Sequence, residues 1–219
     1  MMNVNKTMKH LKDEYYTPFY LAAAFFDAMT EQLYSMAMNK IALNEKLYIW
    51  CPFDTEHSSF VAAARKWAKE RFGDTWEKVV CVEFSHIALG QDFFWYEPEH
   101  WDIAVSNPPF SLKLKIFNKL HKANKPWAML CNIECLNYQE VGENFYNWEK
   151  ANEPAIELLI VDKKVSYDGH TAAFNSSFFC QHFISNHIQF IHLPDNNSGA
   201  FFRNDSMMAV DYDFIKTKV

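Results

Sequence analysis

The chain has 219 residues, 49% of them hydrophobic, enough to bury one full core. Its formal net charge of −6 excludes the global basic field of an autonomous nucleic-acid binder, so any such contact must use a local patch. No apolar run approaches the roughly 18 residues of a membrane span, and no charged-apolar-small leader opens the sequence. The expectation is a soluble cytoplasmic protein with no membrane partner.

Cys51, Cys81, Cys131, Cys135 and Cys180 are odd in number and lack metal-site pairing, and the nine His include no HExxH-type pair. Buried free thiols in a reducing compartment, and no metal, are the simple reading. Twenty Phe, ten Tyr and seven Trp make the chain unusually aromatic, which suits core packing first and base stacking second.

In chain order, residues 19–36 read as a helix opening after Thr17-Pro18, with Leu21, Phe25, Met29 and Leu33 at helical spacing. Leu47 to Cys51 reads as a short buried strand ending at Pro52. Ser58 begins a helical run through Phe60, Ala64 and Trp67 that stops at Gly73. Lys78 to Glu83 and Trp101 to Ser106 are further strands, and a helix covers Ser111 to Asn124. Trp127 to Ile133 and Ile156 to Val161 look like buried strands. Ser177 to Ile184 and Ile188 to Leu193 suit a hairpin across Asn186. The last 25 residues are ambiguous. Strands alternating with helices, then a hairpin, argue for an α/β fold: a mostly parallel, doubly wound sheet with an antiparallel edge hairpin. There is no repeat, low-complexity tract or linker, so 1–219 reads as a single domain.

The most informative word is Asn107-Pro108-Pro109-Phe110, ending the apolar run Trp101 to Ser106. Two consecutive prolines cannot continue a ladder, because each lacks an N–H and has a fixed φ. The backbone must leave the sheet stiffly at a strand's carboxyl end, where ligands sit in open α/β sheets. A polar-Pro-Pro-aromatic tetrad arises by chance in on the order of one in a hundred chains of this length, so its context decides its meaning. Here a strand precedes it and a strong helix pattern follows. A side-chain oxygen and a proline-turn carbonyl suit acceptance from the two N–H groups of a delocalised exocyclic amine, where placement does the work of a base. Phe110 would stack on the ring, a contact worth roughly 1–3 kcal/mol. Any methyl electrophile must come from a cofactor, since no side chain supplies one. Lys113, Lys115, Lys119, Lys122 and Lys125 form the best local basic patch.

The order of these motifs resembles the S-adenosylmethionine-dependent adenine-N6 DNA methyltransferases, most of all the EcoRI-type and phage adenine methylases of restriction–modification. The resemblance runs from about Tyr16 to about residue 185 and implies a Rossmann-like class I methyltransferase fold. It implies that Tyr16-Thr17-Pro18 helps bind the methionine end of S-adenosylmethionine, and that the loop Pro52-Phe53-Asp54 begins the first cofactor contact. Glu83, read as closing the second strand, would take the ribose hydroxyls. Asp92 and Phe93 would hold the cofactor's adenine. Asn107 and the Pro108 carbonyl would accept from the target amine, with Pro109 and Phe110 completing the corner.

Two departures stand out. The segment Asp54-Thr55-Glu56-His57-Ser58-Ser59 contains no glycine where such loops are glycine-rich. A separate region that reads bases in the major groove is also missing, and the tail Asn196 to Val219 is small and not basic. Specificity would then be short, relaxed, or supplied by a partner or homo-oligomer. A duplex adenine would have to be flipped out, with an aromatic of Phe174-Asn175-Ser176-Ser177-Phe178-Phe179 as a second wall. The same tetrad chemistry suits RNA adenine or a protein glutamine amide. A glycine-free loop also suits a catalytically inactive binding subunit.

Overall fold

Strand residues of this chain are apolar on both faces, and in the computed structural model, which describes residues 16–167, 170–171 and 174–193, both faces are covered. The order is α1 (Phe19–Ala28), α2 (Thr30–Ala42), β1 (Leu47–Pro52), α3 (Ser59–Phe72), the single turn α4 (Trp76–Val79) and β2 (Val80–Ser85). Then come β3 (Ile103–Ser106), α5 (Lys113–Ala123), β4 (Trp127–Asn132), α6 (Gln139–Lys150) and β5 (Glu157–Val161). A small ribbon, β6 (Ser166–Tyr167) and β7 (His170–Thr171), precedes β8 (Ser176–Gln181) and β9 (Ile188–Ile191). Seven strands form one sheet in the order β2-β1-β3-β4-β8-β5-β9. Only β8 runs antiparallel to its neighbours; the other pairings are parallel. The sheet is thus mixed and mostly parallel, in an α/β fold.

Alternation along each strand sorts the core into two layers. Ile49, Ile103, Val105, Leu130 and Phe178 face the side packed by Leu21, Phe25, Phe60 and Trp67 of α1 and α3. Trp50, Ala104, Trp127, Met129 and Phe179 face the side packed by Ile116, Phe117 and Leu120 of α5 and Val141 and Trp148 of α6.

Four features differ from the sequence reading. The first helix divides at Met29 (φ −96°, ψ 11°), where Thr30 Oγ1 donates to the Phe26 carbonyl at 3.1 Å, and the second part runs on to Ala42. The edge hairpin does not form. All six residues of β8 are buried, a state that requires both its edges paired, and β4 and β5 supply the partners. Residues 182–187 instead carry the chain past β5, so β9 pairs with β5 in parallel. Strand β2 runs to Ser85, because Phe84 and Ser85 continue the register opposite Cys51 and Pro52. Helix α6 carries Val141, Phe145 and Trp148 at helical spacing, a pattern the chain-order reading passed over. The ambiguous last residues lie outside the described ones.

All five cysteines are free thiols, as expected, and all but Cys81 are buried. Burial pushes the Cys135 thiol up to about 11, and burial followed by the Glu83 carboxylate does the same for Cys81. Neither is a ready nucleophile. No helix among the described residues is long and apolar enough to cross a membrane.

Phe178 sits mid-strand in β8, fully buried, with its ring 4.6 Å from Phe25 and 6.1 Å from Phe60. Phe178→Ala is expected to lower stability by about 3–5 kcal/mol in equilibrium urea unfolding. A loss below about 1 kcal/mol would contradict the central placement of β8.

Candidate active site

The chain leaves β1 through α3 to reach β2 on one side, then crosses to β3 on the other. The carboxyl ends of β1 and β3 therefore flank a topological switch point, where open α/β sheets bind ligands. Pro52 ends β1, and Phe53 follows with φ +72°, a left-handed conformation that a bulky residue rarely adopts. The glycine-free loop thus makes a glycine-like turn with a phenylalanine, at a cost of about 1–3 kcal/mol. The Phe53 ring packs on Phe93 at 4.8 Å, a contact glycine would lack.

Asp54, also buried, joins three strand ends. Its N–H donates to the Ser85 carbonyl at the end of β2 (3.1 Å), and its carboxylate accepts a hydrogen bond from Ser106 Oγ, the last residue of β3. A buried carboxylate needs such donors, so the hydrogen bond fixes one loop against the other.

Immediately after Ser106 comes the tetrad. Pro108 and Pro109 are buried, while Asn107 and Phe110 are half-buried, and Asn107 Oδ1 itself is buried. Pro109 is extended (φ −60°, ψ 118°), and its carbonyl accepts from Leu112 N–H at 3.0 Å, starting the tight turn Phe110–Leu112 that leads into α5. The Phe110 ring meets Phe174 edge-on, with centroids 5.4 Å apart and planes at 77°. Among the aromatics considered for a second wall, Phe178 and Phe179 belong to the core, and Phe174 is the one at the corner.

Facing the first loop is the segment before α1. Tyr16 is exposed, and Pro18 caps α1. The Thr17 carbonyl accepts from Ser59 Oγ at 2.6 Å, tying this segment to the start of α3. Thr17 Oγ1 is buried with no hydrogen-bond partner among the described residues. The first turn of α3 carries no acid and no side-chain cap, because Ser58 Oγ is turned back to accept from Thr55 N–H at 2.8 Å. A helix start of this kind favours negative charge.

The other predicted residues divide. Asp92 shapes a tight turn: its Oδ1 accepts from Phe94 N–H (2.9 Å), and its carbonyl accepts from Trp95 and Tyr96 N–H (2.9 and 2.7 Å). Phe93 is buried, its ring 5.5 Å from Trp50 and 5.4 Å from Phe94 in addition to Phe53. Glu83 does not close its strand. It lies inside β2 opposite Trp50, accepting from Cys81 Sγ at 3.4 Å, because the pairing of β2 with β1 continues past it to Ser85.

The basic patch is smaller than the sequence implies. Lys113 Nζ donates to the Phe110 carbonyl (3.0 Å) and lies 5.1 Å over the Tyr138 ring; Lys125 Nζ donates to the Trp101 carbonyl (2.9 Å) and lies 4.3 Å over its ring. Lys119 turns inward onto Phe93 in the same manner. Of the five, only Lys115 and Lys122 are exposed.

Sequence reasoning missed the role of Ser106, for which a small polar residue directly before the tetrad was a usable signal, and it placed Lys119 in the basic patch where the structure turns it inward. Among the described residues no group of three His, Cys, Asp or Glu is placed to hold a metal. Two open clefts lie away from the tetrad. One, of about 450 Å³, lies between α1 and β9; the other, of about 370 Å³, lies beside Lys40, Trp101 and Pro126.

The arrangement defines a Rossmann-like α/β protein with a polar corner at its switch point. No family model and no curated protein matches the sequence. Among solved structures, the chain is similar to one from Vibrio vulnificus YJ016 described as a modification subunit of a type I restriction enzyme, with 9% identity and a TM-score of 0.49. The match covers 99% of this chain and 57% of that one, so the chain spans a little over half of its length.

The unpartnered Thr17 hydroxyl yields a stability test. Thr17→Val keeps the shape and removes an unsatisfied buried group, so ligand-free stability should stay level or rise by up to about 1–3 kcal/mol in urea unfolding. A clear loss would mean the hydroxyl has a structural partner.

Proposed function

We propose that the protein transfers a methyl group from S-adenosylmethionine to a planar exocyclic amine, the N6 of adenine in DNA, from a single catalytic domain. The observation that carries this reading is the Ser106–Asp54 hydrogen bond, which joins the Asn107-Pro108-Pro109-Phe110 corner to the first loop at the switch point. An amine acceptor and a cofactor loop are thereby neighbours.

The residues fit the cofactor. The start of α3 suits the methionine carboxylate, and the orphaned Thr17 hydroxyl stands beside it with a hydrogen bond to give. Asp54 and Phe53 line the turn below, with Tyr16, Pro18 and Pro52 flanking it. Asp92 and Phe93 stand at the adenine end. The cofactor, when bound, supplies the electrophilic methyl group. Asn107 Oδ1 and the Pro108 carbonyl would accept from the amine, stabilising charge that develops on nitrogen. Phe110 and Phe174, set edge to face, would wall the flipped base.

A specific observation supports a second reading of the substrate. With three of the five α5-region lysines turned onto carbonyls and rings, the face after the tetrad offers little to a phosphate backbone. RNA adenine, a protein glutamine amide, or DNA delivered by a specificity partner or second copy would ask less of it. The glycine-like turn at Phe53 argues against an inactive binding subunit, since the loop keeps the shape that glycine would supply.

Asn107→Ala should reduce transfer of labelled methyl to DNA at least about 100-fold, the scale of losing one acceptor in a preorganised site. Binding of S-adenosylhomocysteine should stay within about threefold of wild type by calorimetry. Unchanged turnover would defeat the mechanism. Duplex DNA, structured RNA and protein extract assayed side by side would separate the substrate readings, and Thr17→Val should weaken cofactor affinity while sparing the fold.

A further inference from the structure

Lysines at helical spacing after the tetrad look alike in sequence, but Lys119 occupies a distinct place. It lies on α5 and reaches back 26 residues in sequence, where its ammonium donates to the Phe93 carbonyl and stands 4.6 Å over the Phe93 ring. That carbonyl lies within the turn whose neighbouring groups are already engaged, with Asp92 holding the N–H groups of Phe94, Trp95 and Tyr96. The Phe93 ring is held against Trp50 and against Phe53, the residue that carries the strained turn of the first loop. One ammonium therefore connects the helix leaving the tetrad to both loops of the cofactor side.

We propose that Lys119 is a positioning residue that holds the 92–96 turn in the shape that receives the cofactor's adenine. This rests on the methyltransferase reading for the ligand, though not for the latch itself. The bond joins a cation to a carbonyl in a half-buried setting, where such contacts are roughly twice as strong as neutral ones. Desolvation lowers the Lys119 pKa below the ordinary lysine value, and the acids bearing on it, Glu97 and Asp92, oppose that shift. The ammonium form makes the latch, so the latch is lost as pH rises through that lowered value.

Two measurements on the full chain test this. Calorimetry with S-adenosylhomocysteine should show Lys119→Met binding about tenfold or more weakly at pH 7, the ratio implied by losing one charge-assisted hydrogen bond. Lys119→Arg, which keeps a permanent charge, should stay within about threefold. Wild-type affinity should fall as pH rises from neutral towards the ordinary lysine range, while that of Lys119→Arg stays flat, a signature that a packing role would not produce. Amide hydrogen exchange at Phe94, Trp95 and Tyr96 in the ligand-free protein should accelerate in Lys119→Met and return towards wild type in Lys119→Arg. Equal exchange in all three proteins overturns the latch. Equal affinity of Lys119→Met, with a pH profile matching wild type, overturns its role in the site. If wild type itself fails to bind S-adenosylhomocysteine, the methyltransferase reading and this positioning role both fall, and the exchange result still decides the latch.

Discussion

The hydrogen bond from Ser106 to Asp54 is the constraint on which the candidate site depends. A carboxylate buried at the end of a parallel sheet must be satisfied, and here Ser106 Oγ at the end of β3 donates to it, while the Asp54 N–H donates to the Ser85 carbonyl at the end of β2. Asp54 is held to β2 through its backbone and to β3 through its side chain, so three strand ends share one geometry. The proline pair transmits it onward. With no freedom in φ across two residues, Asn107 and Phe110 stand where β3 and Ser106 aim them. A more flexible corner would leave the carboxamide free to turn away.

The loop before that bond shows how a missing glycine is accommodated. Phe53 takes the left-handed conformation at an energetic cost and regains part of it by packing on Phe93. The aromatic content that composition announced is thus partly used to hold loops together. Phe53, Phe93 and Trp50 form a chain of rings from the first loop to the core, and Phe110 with Phe174 forms a separate pair at the corner. Away from the site, His121 bridges Glu153 and Gln181 while stacked on Trp148 at 3.8 Å, which fastens α5 to α6 and β8.

The lysines after the tetrad show a limit of reading charge from sequence. Their spacing is that of a solvated helix face, and two of the five are on one. The other three find carbonyls and aromatic rings contributed by distant segments, at Phe110 and Tyr138, at Phe93, and at Trp101. Together with the net charge of −6, this leaves the described surface after the tetrad with little basic character.

Much of the architecture was legible because it is written in local patterns. Apolar strand runs, helical spacing and the breaks at Pro52, Gly73 and Asn107-Pro108-Pro109 depend on a few neighbouring residues, and the tetrad's place at a strand end follows from prolines alone. Helix α6 was equally legible and was passed over. The hairpin failed because β8 and β9 are close in sequence and each chose a different neighbour: only the buried faces of β4 and β5 could decide that. Glu83 fell short of the strand end for a similar reason, since register is set by the partner strand. By itself the sequence determined the α/β alternation and the rigid polar corner, since local sterics settle both. The tertiary structure alone decided the Asp54–Ser106 bond, the inward turn of Lys119, the pairing of Phe110 with Phe174 and the strained Phe53, because each needs segments far apart in the chain to meet.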